Sequence, residues 1–241
     1  MSAGGTTSGP NLGADAGPAP DPGSAPAAPL LSARSLVLEY GEGPRRVRAI
    51  DGLDLDVARG EFVGLVGPSG SGKSSLLFVL AGLRLPTSGA VTLDGERLSV
   101  RAERNAPLRR RRIGFLFQEP FLVPYLSVRE NAQVHAYDAN AGPRIDALAA
   151  RIGLTHLLDE RPHRLSGGER QRAGVLRALA NEPELILADE PTAFLDRATG
   201  HSVMDVLRHE VGRAALVVVT HDPEMLAGAH RVLHLRDGRL E

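Results

Sequence analysis

Gly67-Pro68-Ser69-Gly70-Ser71-Gly72-Lys73-Ser74-Ser75 is the stretch that decides the fold. The apolar run Phe62-Val63-Gly64-Leu65-Val66 precedes it and Leu76-Leu77-Phe78-Val79-Leu80-Ala81 follows, so a strand feeds a glycine-rich turn that opens a helix. Closely spaced glycines let backbone N–H groups converge on anionic oxygens, and the helix N-terminus adds its positive end. In that context Lys73 is expected to reach β- and γ-phosphates, and the Ser74 hydroxyl to hold Mg²⁺. Gly67, Pro68, Ser69, Gly70, Ser71, Gly72, Lys73, Ser74 and Ser75 are all candidate nucleotide contacts.

The bulk of the chain is consistent with such a site. Its 241 residues suffice for one large α/β domain or two modest ones. A hydrophobic share of 42% predicts a substantial core, and a formal net charge of −1 argues against a general polyanion-binding surface. Aromatics make up only 4%, too few for stacking platforms on single-stranded nucleic acid, so no specific nucleic-acid partner is expected. Cysteine is absent, which excludes disulfides and thiolate metal sites. No apolar stretch approaches the roughly 20 residues that cross a bilayer, and no basic-then-apolar signal pattern opens the chain.

Outward from the loop, the pattern divides the chain. Residues 1–29 are mostly Gly, Pro, Ala and Ser and are expected to be a disordered tail, because they bury too little surface to offset ordering entropy. Leu36 to Tyr40 and the alternating Val47 to Val57 read as strands, with Arg59-Gly60-Glu61 turning into the strand before the loop. Beyond it, Ala90 to Gly95 gives a short strand and hairpin. Arg109-Arg110-Arg111-Arg112 reads as a solvated helix end before an Ile113–Phe117 strand, since the neutral whole-chain charge disfavours a nucleic-acid site. From Gln118 to Ser166 short helical pieces replace strands, which predicts a helical insertion. Gly167-Gly168 opens a charged helix. Leu185 to Ala188 and Ala214 to Val219 are apolar enough for the centre of a parallel sheet. Asp189 and Glu190 stand at the end of the first of these strands, where open α/β sheets bind ligands.

Taken together, the order of these pieces resembles the ATP-binding subunit of ABC transporters, over about Leu31 to Glu241. The most specific element is Leu165-Ser166-Gly167-Gly168-Glu169, following the glycine loop and shortly preceding Leu187-Ala188-Asp189-Glu190. The resemblance implies an α/β P-loop NTPase over 30–241, with a mixed or parallel core sheet, an antiparallel β subdomain and an inserted helical subdomain near 119–165. It implies a Mg²⁺-dependent ATPase that powers a membrane transporter. Tyr40 resembles the aromatic that stacks on adenine, and Gln118 the residue that senses Mg²⁺ and the γ-phosphate. Asp189 is expected to position Mg²⁺ with Ser74, Glu190 to polarise the attacking water, and His221 to contact the γ-phosphate. Asp196, in Ala193-Phe194-Leu195-Asp196, matches a loop that communicates between subunits. Physical chemistry supports several of these roles on its own: Mg²⁺ prefers hard oxygen ligands, and a carboxylate at the end of a buried strand orients water at little positional cost.

In that family Ser166 and Gly168 complete the nucleotide site of an opposing subunit, so a second copy of the chain is the expected partner. Separate transmembrane permease subunits are expected as well, docking on the helical subdomain around Pro120 to Tyr125, although that apolar stretch also suits local core packing. The resemblance thus implies a peripheral protein on the cytoplasmic face of a membrane. Glu169 replaces the commonest glutamine, as is usual in the lipoprotein-release and macrolide-export branch, and export or lipid extraction is the favoured use. A division-associated ATPase coupled to cell-wall remodelling and a nucleotide-controlled scaffold are the alternatives. Ala193-Phe194 departs from the family's small and polar pair. Gly174 departs from a helix former, at a cost of about 0.5–1 kcal/mol unless it allows close packing.

Overall fold

Alternation in the two most apolar segments builds the architecture. The computed structural model describes residues 28–43, 46–134, 136, 138 and 141–241, so the expected tail falls outside the described residues as far as residue 27. The chain runs β1 (Leu31–Tyr40), β2 (Val47–Val57), β3 (Phe62–Val66), α1 (Lys73–Leu80), β4 (Ser88–Leu93), β5 (Glu96–Arg97), α2 (Ala106–Arg112) and β6 (Ile113–Leu116). It continues with α3 (Val128–Gln133), α4 (Gly142–Arg151), α5 (Gly167–Leu179), β7 (Leu185–Asp189), α6 (Arg197–Glu210), β8 (Ala215–Val219), β9 (Arg231–Arg236) and β10 (Arg239–Leu240).

The strands form a six-stranded sheet in the order β10-β9-β3-β8-β7-β6 and a four-stranded sheet in the order β2-β1-β4-β5. In the larger sheet β9, β3, β8, β7 and β6 pair in parallel and β10 closes antiparallel on β9, which makes it mixed. The smaller sheet is antiparallel throughout. Every residue of β7 and β8 is buried, as a parallel strand covered on both faces requires.

Successive residues of those strands point into different cores. Leu185 and Leu187 join α1 and the antiparallel sheet, while Ile186 and Ala188 join α3, α4, α5 and α6. The central sheet is thus sandwiched between a β layer with one helix and a helical layer.

Helix boundaries follow local chemistry. Ser127 and Ser166 each accept from the backbone N–H three residues on, and the Glu there accepts from the cap's own N–H, so α3 and α5 both start in capping boxes. Asp196 caps α6 by accepting from the Thr199 N–H. The expected Ile113–Phe117 strand ends one residue early, at Leu116, and the Phe117 ring packs with those of Phe78, Phe115 and Phe121. No described helix is long and apolar enough to cross a membrane.

Parallel order brings the working ends of β3, β7 and β8 to one edge. Leu65 lies opposite Val219, and Val219 opposite Asp189, so the glycine-rich loop leaves the sheet beside the carboxylate-bearing end of β7.

Candidate functional site

Two glycines give the loop after β3 its shape. Gly67 and Gly72 sit at φ 156° and 103°, and a Cβ on either would fall 2.1 Å from a backbone carbonyl oxygen, that of Leu235 or Ala49 respectively. Any side chain there would force the loop off β9 and β2. The crest formed by Pro68, Ser69 and Gly70 is exposed, whereas Ser71 and Lys73 are buried. Lys73 folds beneath the crest and donates to the carbonyls of Gly67 and Pro68 at 2.9 and 2.8 Å. No acidic side chain lies in the first turn of α1, so nothing on the helix itself neutralises the positive end of its dipole.

Two carboxylates face this loop. Asp189, the last residue of β7, is 4% exposed and has the Ser74 side chain near it. Burial raises its pKa, while Ser74 and the Lys73 ammonium pull it back. Glu190 follows with φ 46°, its N–H donating to the Val219 carbonyl at 2.9 Å. This unusual backbone aims its carboxylate at His221: Oε2 accepts weakly from the His221 N–H at 3.4 Å, and Oε1 lies 3.2 Å from His221 Nε2. That second contact is not aligned as a hydrogen bond, which leaves Oε1 buried without a partner. Burial also raises the Glu190 pKa, with nearby Asp189 adding to the rise and His221 and Lys73 opposing it. Burial in turn lowers the Lys73 pKa against the pull of both carboxylates.

The structure therefore brings Lys73, Ser74, Asp189, Glu190 and His221 together. Gln118 lies two residues past β6, the parallel neighbour of β7, and is exposed. Tyr40 donates to or accepts from Ser75 Oγ at 3.1 Å, and the Arg84 guanidinium covers one ring face at 4.5 Å. Ser166 and Gly168 stand at the start of α5, where the Ser166 hydroxyl accepts from the Glu169 N–H and no described hydrogen bond reaches the glycine-rich loop.

The oxygen donors suit a small hard cation. A buried carboxylate beside a hydroxyl is the kind of pair that holds Mg²⁺ when phosphate oxygens and water complete its octahedron. Among the described residues there is no group of three or more His, Asp or Glu placed to hold a metal ion.

Two participants escaped sequence reasoning. Gln171, only 1% exposed, donates from Nε2 to the Pro191 carbonyl at 3.1 Å and ties α5 to the segment after Glu190. Arg177, also on α5 and buried, donates to the Phe121 carbonyl and holds the segment that follows Gln118. The signal for Gln171 was its phase: with Val175 and Ala178 it occupies the buried stripe of α5.

Comparison with known proteins agrees with this geometry. A family model described as ABC transporter matches residues 50–193. The chain is 42% identical over 220 residues to the macrolide export ATP-binding/permease protein MacB of Nitrosomonas europaea, covering 88% of the chain but 33% of that relative. It is 42% identical to the lipoprotein-releasing system ATP-binding protein LolD of Pseudomonas fluorescens, covering 88% of the chain and 96% of that relative. A putative hemin import ATP-binding protein, HrtA of Staphylococcus haemolyticus, is 40% identical over 88% of the chain and 99% of its own length. Among solved structures, a bacterial ABC transporter cassette in dimeric form superposes with a TM-score of 0.81 at 34% identity, over 88% of this chain and 96% of that one. The fold is that of a P-loop NTPase with a helical subdomain, and the chain belongs to the ABC transporter family as an ATP-binding and ATP-hydrolysing subunit.

Proposed function

We propose that this chain forms half of a composite ATPase site and drives a transporter in export or in lipid or lipoprotein extraction. The observation that carries the proposal is the convergence of Lys73, the Ser74–Asp189 pair and the half-satisfied Glu190 at one edge of the sheet. In this reading Gly67 to Ser75 cradle the phosphates of ATP through backbone N–H groups, and Tyr40 stacks on the adenine. Lys73 exchanges its two loop carbonyls for phosphate oxygens. Ser74, Asp189 and Gln118 hold Mg²⁺, which when bound supplies charge neutralisation for the phosphoryl oxygens. Glu190 Oε1 is the free buried acceptor, and it orients the attacking water and takes up its proton. His221, 3.2 Å away, opposes the burial-driven rise in the Glu190 pKa and contacts the γ-phosphate.

Ser166 and Gly168 of a second copy close the site from above. Their hydroxyl and backbone lie at the N-terminus of α5, where the capping box already engages the Ser166 hydroxyl and sets the Glu169 carboxylate in the first turn. Likeness to cassettes solved as dimers, one of them in a post-hydrolysis state bound to ADP and Pi, supports the pairing. The relatives named for lipoprotein release and macrolide export, together with Glu169, support the choice of branch. A peripheral position on the cytoplasmic face of a membrane follows from docking to permease subunits. The docking surface is the apolar groove lined by Phe115, Phe117, Phe121 and Val134, in which Phe121 is 64% and Val134 52% exposed.

Steady-state ATPase assays with Mg²⁺ test the chemistry. Glu190→Gln is expected to lower kcat by about 10²–10⁴-fold, the worth of a positioned general base, with ATP binding retained. Equal, low turnover in both proteins would instead support a nucleotide-controlled scaffold and sink the hydrolase reading. Isolation of the intact membrane complex with its lipids tests the branch: a co-purifying permease with lipoprotein or lipid bound is expected, and recovery only with cell-wall enzymes would count against transport.

A further inference from the structure

Glu190 is followed by a proline, which makes its backbone harder to hold than its φ of 46° alone implies. A proline ring favours extended conformations in the residue before it, and any side chain with a Cβ disfavours the left-handed region. Such a conformation persists only where the surrounding contacts over-determine it. Two of those contacts come from nearby backbone. The Glu190 N–H donates to the Val219 carbonyl at 2.9 Å, and the Ala193 N–H donates to the Glu190 carbonyl at 3.1 Å.

A third contact comes from the helical layer. Gln171 of α5 donates from Nε2 to the Pro191 carbonyl at 3.1 Å, on the peptide next to Glu190. The amide is 1% exposed, and its Oε1 has no hydrogen-bond partner among the described residues. An apolar side chain of similar size would leave no buried oxygen unpaired, so core stability does not account for an amide here. What the amide supplies is a donor aimed at Pro191. Gly168, one turn earlier on α5, brings the helix close to the same segment: a Cβ built there would stand 3.3 Å from Leu195 Cδ2.

We infer that Gln171 is a positioning residue for Glu190: it pins the Pro191 peptide and so maintains the left-handed turn that aims the Glu190 carboxylate into the site. The inference rests on the proposed reading in which Glu190 orients the attacking water. Gln171 touches neither nucleotide nor water in this account and acts only through the backbone of the loop. A carboxylate displaced by about 1 Å from its working geometry loses rate. Nucleotide binding is spared, because the phosphates are held by the Gly67–Ser75 loop and not by Glu190.

Gln171→Met and Gln171→Leu each keep the bulk of the side chain and remove the donor. Both are assayed in the full-length protein, at a temperature where circular dichroism shows the variant folded. Each is expected to lower kcat about 10–100-fold, with the dissociation constant for ATP within about twofold of wild type. General loosening of the fold would neither confine the loss to kcat nor make it depend on Glu190. Single-turnover hydrolysis in a Glu190→Gln background tests that dependence. There Gln171→Met is expected to lower the rate no further, because the group it positions is gone. Losses that multiply in the double variant would show that Gln171 acts independently of Glu190 and would overturn the proposal. Weakened ATP binding with kcat intact, or full turnover in the folded Gln171 variants, would overturn it too. A Glu190→Gln protein of undiminished turnover would instead remove the reading on which the inference rests.

Discussion

In the proposed mechanism Glu190 concentrates the chemistry of the molecule in one strained residue. Its φ of 46° puts a non-glycine residue in the left-handed region, at a cost of order 1–3 kcal/mol that the surrounding strands must offset. The gain is a carboxylate with one buried, unpartnered oxygen. Burial raises the Glu190 pKa, and only the ionised form accepts a proton, so turnover is expected to fall as pH drops through that raised value. The acid limb of the kcat/KM profile should accordingly lie above the ordinary glutamate value of about 4.3, and a limb at or below it would contradict the role given to Glu190. Lys73→Ala should instead abolish nucleotide retention, measurable by filter binding, because in the proposal the same ammonium that caps the Gly67 and Pro68 carbonyls is the cation offered to phosphate. Lys73, Ser74, Asp189 and Glu190 were legible in the chain because each sits at a fixed offset from an apolar strand. Gln171 was not, since its partner is a backbone carbonyl that only the folded loop after Glu190 supplies.

Helix α5 connects the site to the rest of the chain. Gly174 was noted in the sequence as a residue costly to a helix unless close packing requires it, and the structure supplies the packing: a Cβ there would stand 2.9 Å from Pro120 Cβ. Gly174→Ala should therefore destabilise the protein by about 1–3 kcal/mol in urea unfolding, despite alanine's better helix propensity. A stabilised protein would show that Pro120 gives way freely. The strands of the central sheet were readable because burial on both faces leaves near-continuous apolar runs, and α5 because Gly167-Gly168 opens a charged helix, whereas the caps at Ser127, Ser166 and Asp196 emerge only in the structure. The helical insertion was legible only as a change of pattern. Its short pieces are held by contacts that leave no periodic trace, such as Asn131, whose side chain bonds the backbone of Val123, Leu126 and Ser127.

At the scale of the molecule, two layers must move as one body if ATP bound at the sheet edge is to be sensed elsewhere. Arg112, at the end of α2, bonds both Glu184, which precedes β7, and Asp94, which follows β4, and so joins the antiparallel layer to the central sheet. The arginine run that stood out in the sequence is thus partly a clamp. Hydrogen bonds from Arg112 and Arg59 hold the Glu184 and Asp94 pKa values below the usual carboxylate range. A depressed folded pKa means stability that is present above the unfolded value and lost as pH falls through the folded one. Thermal melts should show that loss below about pH 4, and Arg112→Gln should both lower the melting temperature at neutral pH and flatten the acid-induced fall. An unchanged acid dependence would show that the clamp is idle.

Complementation between inactive variants tests the composite site most directly. Lys73→Ala disables the loop half and Gly168→Asp the α5 half, and each protein alone should be inactive. Mixed in equal amounts, half of the dimers pair the two variants, and each of these holds one site with both halves intact. About a quarter of wild-type ATPase activity should then return if the two sites turn over independently. No recovery, from variants that both remain folded and are shown to pair with each other, would contradict a site shared between two copies.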